Sequence, residues 1–164
     1  MPVRLVIMGV SGCGKSTVGQ MIADSLHLPF LDGDDFHPAS NIQKMASGTA
    51  LNDDDRQPWL EELARQLKNH EDGCVIACSA LKLRYRDTLR LANGVRFIHL
   101  SGDKATLSAR LNDRSSTTDH FMSDALLDSQ LDTLEDPSAE AGVITLDIQQ
   151  SPAALLKDAL AQLS

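Results

Sequence analysis

No apolar run in this sequence approaches the roughly 20 residues that a membrane-spanning helix needs. Its first residues, Met1-Pro2-Val3-Arg4-Leu5, lack the layout of a secretory signal and lead directly into an apolar stretch. No internal repeat or linker interrupts the chain, which reads as one domain over residues 1–164. Positive charge is scarce: 15 Lys and Arg stand against 23 Asp and Glu, a formal net charge of −8. Nucleic-acid binding rests on Lys and Arg neutralising phosphates, so this balance argues against it. An anionic substrate must then be met by local positive charge, because the overall field opposes it. Cysteine is also sparse. Cys13, Cys74 and Cys78 give no even disulfide framework, and the four-residue step between the last two does not suit a zinc pair. They read as free thiols in a reducing cytoplasm.

What is present is an alternation of strand and helix patterns. Arg4–Met8 reads as a buried strand, followed by a helix from Lys15 to about Leu26. Pro29–Leu31 is a short second strand, and His37-Pro38 opens a short helix that stops near Gly48. Pro58 suits the first position of a further helix, striped by Trp59, Leu60, Leu63 and Leu67 and ended by Gly73. Cys74–Cys78 and Val95–Leu100 are the third and fourth strands. Between them lies a basic helix whose Arg84, Arg86 and Arg90 read mostly as a solvated face. Asp103 can cap a helix through Arg110, Ser123 the next, and Ser151-Pro152 the last, which follows a fifth strand over Gly142–Ile148. Continuous apolar strands separated by helices imply a five-stranded parallel sheet covered on both faces. In such sheets ligands bind beyond the carboxyl ends of the strands.

The first strand ends in Gly9-Val10-Ser11-Gly12-Cys13-Gly14-Lys15-Ser16, followed by Thr17. This is the G-x-x-x-x-G-K-S phosphate loop in its strand–loop–helix setting. Glycines let the backbone curl so that several N–H groups face one anion, and the helix N-terminus adds its partial positive charge. Lys15 can reach the β- and γ-phosphates of ATP, and the Ser16 hydroxyl can ligate Mg²⁺. Residues 9–17 are thus the candidate nucleotide site. No Asn-Lys-x-Asp segment is present, which weighs against a GTPase. The third strand carries no Asp for magnesium. The second supplies acids in Leu31-Asp32-Gly33-Asp34-Asp35. One carboxylate, Asp32, could order a Mg²⁺-bound water, and the other, Asp34, could take a proton from a substrate hydroxyl.

Several longer segments carry a resemblance. They are Leu31-Asp-Gly-Asp-Asp-Phe-His37-Pro38, then Asn41, Lys44-Met45 and Gly48, and Leu51-Asn-Asp-Asp-Asp-Arg56-Gln-Pro-Trp59-Leu60. Further on come Cys78-Ser79-Ala80-Leu81-Lys82, Tyr85-Arg86-Asp87 and His120-Phe121-Met122. Together they resemble the gluconokinase family over nearly the whole chain. The resemblance implies transfer of the ATP γ-phosphoryl group to D-gluconate, a nucleoside-monophosphate-kinase-like α/β fold with a short lid near residues 114–122, and a homodimer. As in related small-molecule kinases, it also implies that Arg110 lies over adenine and that Arg114 reaches the phosphates, a surface ion pair being the alternative for each. The link Ser115-Ser-Thr-Thr-Asp119 is longer than the family pattern and contains no Lys.

On the acceptor side, Arg56 is a candidate for the gluconate carboxylate, since a guanidinium binds it bidentately; an ion pair with Asp53 to Asp55 is the alternative. Lys82 could touch substrate or phosphate, or simply start a helix. His37 could hydrogen-bond substrate hydroxyls, or cap a helix. Gln149 to Pro152 could border adenine. Trp59 reads as core or dimer contact. Two other functions share the phosphate loop: another small-molecule kinase, such as an adenylylsulfate kinase, and a nucleotide-binding module without chemistry. The His-Pro…Asp-Arg-Gln-Pro-Trp stretch weighs against the first, and the retained Lys15, Ser16, Asp32 and Asp34 against the second.

Overall fold

The structure is a computed structural model that describes residues 2–10, 12–49, 51–114 and 120–163; for 111–114 and 120–126 it describes the backbone alone. Five parallel strands form one sheet: β1 (Val3–Met8), β2 (Phe30–Asp32), β3 (Gly73–Ala77), β4 (Val95–Ser101) and β5 (Val143–Asp147). Their order is β2-β3-β1-β4-β5. β1 lies at the centre, paired with β3 from Val3↔Gly73 to Ile7↔Ala77 and with β4 from Arg4↔Val95 to Met8↔His99.

Helices cover both faces, as the buried strands require. On one face Leu5, Ile7, Val75, Ile98 and Leu146 pack against α1 (Lys15–Leu26) and α7 (Pro152–Leu163) through Val18, Ile22, Leu155 and Ala159. On the other, Val6, Met8, Ile76 and Phe97 meet α3 (Asp53–Asn69) and α4 (Leu83–Leu89) through Leu60, Leu63, Leu67 and Leu89. Each such side chain, buried completely, contributes about 1.5–3 kcal/mol. α2 (Ala39–Ala46), α5 (Lys104–Arg114) and α6 (His120–Thr133) complete the fold. Among the described residues no helix is long and apolar enough to cross a membrane.

Four expectations need correction. α3 begins at Asp53, not Pro58. A reciprocal cap starts it early: Asn52 Oδ1 accepts from the Asp55 N–H at 2.8 Å, and Asp55 Oδ2 accepts from the Asn52 N–H at 2.9 Å. Asp53, Asp54 and Asp55 then occupy the positive end of the helix dipole, and Pro58 sits in the second turn. Gly73 does not end that helix; α3 stops at Asn69 and Gly73 opens β3, paired with Val3. α6 begins at His120, ahead of Ser123. Finally, Arg86 is not on a solvated face. It is completely buried, and donates to Glu140 at 2.6 Å, to the Ala80 carbonyl at 2.8 Å and to the Glu135 carbonyl at 2.9 Å. Arg90 joins it on Glu140, while Arg84 stays largely exposed. A guanidinium can be buried here because its fork meets a carboxylate and two carbonyls. The Asp103 cap on the Thr106 N–H and the Ser151 cap on the Ala154 N–H form as expected.

Candidate active site

The phosphate loop links the end of β1 to α1. Gly14 is the N-cap of α1 at φ 93° and brings no side chain to the exposed N–H groups of the first turn. Those donors face outward beside Lys15 and the exposed Ser16 and Thr17, an arrangement suited to an anion. Gly9 must be glycine: a Cβ there would lie 2.7 Å from Cys13 Sγ and 2.9 Å from the Leu100 carbonyl, at φ 145°. Lys15 Nζ donates to the carbonyls of Gly9 at 3.1 Å and Val10 at 3.3 Å, so its ammonium lies across the loop. Gly12 and Cys13 are buried in the loop, with the Cys13 thiol pushed up in pKa by burial. All three cysteines are free and buried. Ser11 lies outside the described residues.

Asp32 and Asp34 come from the neighbouring strand end. Asp32 closes β2, and its Oδ1 accepts from the Asp34 N–H at 3.0 Å, turning the chain into a 3-10 segment over Gly33–Phe36. Gly33 lies so close to β3 that a Cβ would come within 2.5 Å of the Ala77 carbonyl. Asp34 projects outward with its side chain 83% exposed. The buried Cys78 thiol is raised to about 12 by desolvation. Asp32 pairs with Ala77 at the end of β3, and the Gly9 N–H donates to the Ser79 carbonyl at 3.2 Å, so the Asp32–Asp34 turn and the phosphate loop border the same strand end. Among the described residues no three His, Cys, Asp or Glu groups could cage a metal alone. A hard cation that keeps several waters and binds through substrate phosphates suits such a site. The exposed Ser16 hydroxyl and the second carboxylate oxygen of Asp32 fit that mode.

The segment after β3 carries the cations. Ala80 adopts φ 48°, and its carbonyl is held by Arg86. That turn delivers Lys82, Arg84 and Tyr85 to the start of α3, where Asp53 gathers them. Lys82 Nζ lies 3.1 Å and Arg84 Nη1 3.2 Å from the Asp53 carboxylate, and the Tyr85 hydroxyl donates to it. Tyr85 and then Lys82 hold the Asp53 carboxyl below its ordinary pKa. Arg56 Nη1 donates to the Tyr85 hydroxyl at 3.3 Å and lies 4.0 Å from Asp53, with its guanidinium 5.7 Å from the Tyr85 ring centre. Arg56 and Lys82 are therefore neighbours, and Arg56 makes the expected ion pair with Asp53 while remaining one-third exposed. Sequence reasoning did not single out Asp53 or Tyr85 as the hub of this cluster. The signal was the position of the chain's one tyrosine three residues after Lys82.

His37 stacks on Trp59 with ring centroids 4.2 Å apart. Arg110 lies on the far side of the loop. Its Nη1 is 3.8 Å from a Cβ placed on Gly14, and its Nη2 donates to the Ile148 carbonyl, joining the phosphate loop to the end of β5. Gln149 borders a polar cleft of about 470 Å³ with Ser101, Gly102, Asp103, Thr145 and Asp147. Two carboxylates in its wall make it unsuited to phosphate. The Arg114 side chain and Ser115 to Asp119 of the expected lid lie outside the described residues.

A parallel sheet, a glycine loop at its central strand and an acid pair on an outer strand define a P-loop kinase. The shikimate kinase family model matches residues 11–163, and the chain belongs to that family of P-loop kinases. Within it the chain is a member of the gluconokinases. It is 47% identical over 150 residues to the thermoresistant gluconokinase of Escherichia coli (strain K12), covering 88% of this chain and 84% of that protein. A probable gluconokinase of Xenopus tropicalis is 42% identical over 173 residues, covering 94% and 90%. The crystal structure of a gluconokinase from Sinorhizobium meliloti 1021 superposes with a TM-score of 0.89 at 43% identity, over 99% of this chain and 91% of that one. An APS kinase from Mycobacterium tuberculosis shares the fold alone, at 16% identity and a TM-score of 0.67.

Proposed function

We propose that this protein transfers the γ-phosphoryl group of ATP to D-gluconate, giving 6-phospho-D-gluconate and ADP. The observation that carries the reading is identity of 40–47% to several gluconokinases over most of the chain. The phosphate loop and the Asp32–Asp34 turn, which border the end of β3, and the neighbouring cations Arg56 and Lys82 support it. Residues 1–164 act as one kinase domain, with residues 114–122 as the lid.

The loop N–H groups of residues 9–17 bind the phosphates, and Lys15 places its charge on the transferring group. Arg110 packs toward adenine and Arg114 toward the phosphates. Ser16 and Asp32 would hold Mg²⁺, Asp32 through water, and the ion would supply neutralisation of the phosphate charge. Asp34 accepts the proton of the attacking gluconate hydroxyl. At the other end of the substrate, Arg56, assisted by Lys82, binds the carboxylate, and His37 hydrogen-bonds a substrate hydroxyl. The protein works in the cytoplasm as a homodimer.

The test is an acceptor panel in a coupled ADP-release assay with ATP and Mg²⁺. Gluconate should be the preferred acceptor, and mass spectrometry should identify phosphogluconate. Well-folded protein that releases ADP no faster with gluconate than without it would sink the proposal.

A further inference from the structure

His37 is held from several directions, and the contacts specify which ring nitrogen carries hydrogen. Trp59 stacks on the ring with the planes only 16° apart. Asn41, which is buried, places Nδ2 3.2 Å from His37 Nδ1 and donates from the same nitrogen to the Asp55 carbonyl at 2.9 Å. A carbonyl only accepts, so that nitrogen is the amide donor, and an amide nitrogen only donates. His37 Nδ1 must therefore accept, and the ring hydrogen sits on Nε2. Nε2 lies 3.9 Å from Asp34 Oδ1. That separation exceeds a hydrogen bond, but one oxygen atom fits between the two at about 2.8 Å from each.

Trp59 also acts at its other end. Its indole N–H donates to the Gly33 carbonyl at 2.7 Å. Gly33 is the middle of the turn that carries Asp34, and it is pressed against β3 with no room for a Cβ. One buried side chain of α3 thus fixes both the Asp34 turn and the His37 ring. The start of α3 contributes further, since Asp55 accepts from Asn41 and from Lys44.

We propose that Trp59 and Asn41 are positioning residues that hold His37 as an Nε2–H donor, sharing one acceptor hydroxyl with Asp34. The identity of that hydroxyl as one of gluconate rests on the proposed function. Burial lowers the ring's pKa, with Asp34 opposing and Arg56 assisting, which favours the uncharged ring. An uncharged ring keeps a lone pair for Asn41 while it donates from Nε2. A protonated ring would donate from both nitrogens and break the Asn41 contact.

Long-range ¹⁵N–¹H correlation spectra of the full-length protein at neutral pH read the tautomer without substrate. The wild type should show the Nε2–H pattern for His37, and Asn41→Ala should mix the two tautomers. Trp59→Phe keeps an aromatic face but loses the bond to Gly33. It should cut kcat with gluconate about tenfold, the worth of one lost hydrogen bond, with the KM for ATP unchanged. His37→Gln, which returns an amide N–H near the Nε2 position, should recover activity that His37→Ala loses. A wild-type Nδ1–H pattern, an unaltered tautomer in Asn41→Ala, or wild-type kcat in Trp59→Phe would each overturn the proposal. An Nε2–H wild type that yields no phosphogluconate would support the hold on His37 and overturn the gluconate reading alone.

Discussion

Replacing Arg56 by Ala isolates the recognition of the acceptor's carboxylate. The chain carries a net charge of −8, so an anionic acceptor gains nothing from the overall field and depends on a local cation. The magnitude follows from the environment of the guanidinium. A fully exposed ion pair is worth about 0–1 kcal/mol, whereas truncating one partner of a buried pair costs about 2–5 kcal/mol. The Arg56 side chain is 33% exposed, which places the loss near the bottom of the second range, about 2 kcal/mol. At tenfold per ~1.4 kcal/mol, kcat/KM for gluconate should fall roughly 30-fold. The fold should survive, because Asp53 keeps Lys82, Arg84 and Tyr85 as partners. Thermal melting should therefore change little. Steady-state kinetics with gluconate and with the neutral polyol sorbitol make the comparison. The loss should be confined to gluconate, and Arg56→Lys should restore only part of it, because an ammonium cannot make the two-pronged contact. An equal loss toward both acceptors would refute the assignment and turn attention to Lys82.

Three further outcomes follow from the same geometry. Lys15→Ala should lower turnover at least ~10²-fold in a correctly folded protein, because it removes a preorganised charge from the transferring phosphate; an unchanged kcat would refute its role. Asp34→Asn should lower kcat about 10²-fold with nucleotide affinity, measured by calorimetry, nearly unchanged. An active Asp34→Asn beside an inactive Asp32→Asn would reverse the two roles. Arg86→Leu should destabilise the protein by ~3–5 kcal/mol in urea denaturation near neutral pH, since it strips a buried guanidinium from Glu140 and from two carbonyls. Hydrogen bonds from Arg86, and less strongly from Arg90, hold the Glu140 carboxyl below its ordinary 4.5 against the opposing effect of burial. A depressed carboxyl stabilises the fold above its unfolded value, and that contribution is lost as pH falls through the folded value. The gap between wild type and Arg86→Leu should thus narrow below about pH 4.5, and an equal gap there would count against the pairing.

The elements that the sequence determined by itself are those coded locally. The apolar run Leu5–Met8 and the Gly9–Ser16 loop required a buried central strand, an anion cradle and a helix, and α1 spans Lys15–Leu26 as expected. The parallel sheet was legible because its inner strands carry continuous apolar runs, Leu5–Met8 in β1 and Cys74–Ala77 in β3, which burial on both faces explains. Local reading failed where a cap competed with a proline: the Asn52–Asp55 exchange of hydrogen bonds started α3 ahead of Pro58. It failed again where partners lie far apart in the chain. Nothing within a turn of Arg86 reveals that Glu140 and the carbonyls of Ala80 and Glu135 will satisfy it, so a buried guanidinium reads as a solvated one. Asp53, read as one of three acids beside Arg56, became the hub for Lys82, Arg84 and Tyr85 only when α4 folded against α3, about thirty residues away. Trp59 reads as an apolar stripe residue, and it is buried. That its N–H holds the Asp34 turn and its face holds His37 was decided by the packing of α3 beneath the end of β2. Residue type and spacing specify which chemical groups are present and which backbone they favour. The partners that satisfy a buried polar group are chosen by topology, because desolvation makes an unmatched group too costly and only the assembled sheet and helices bring the match within reach.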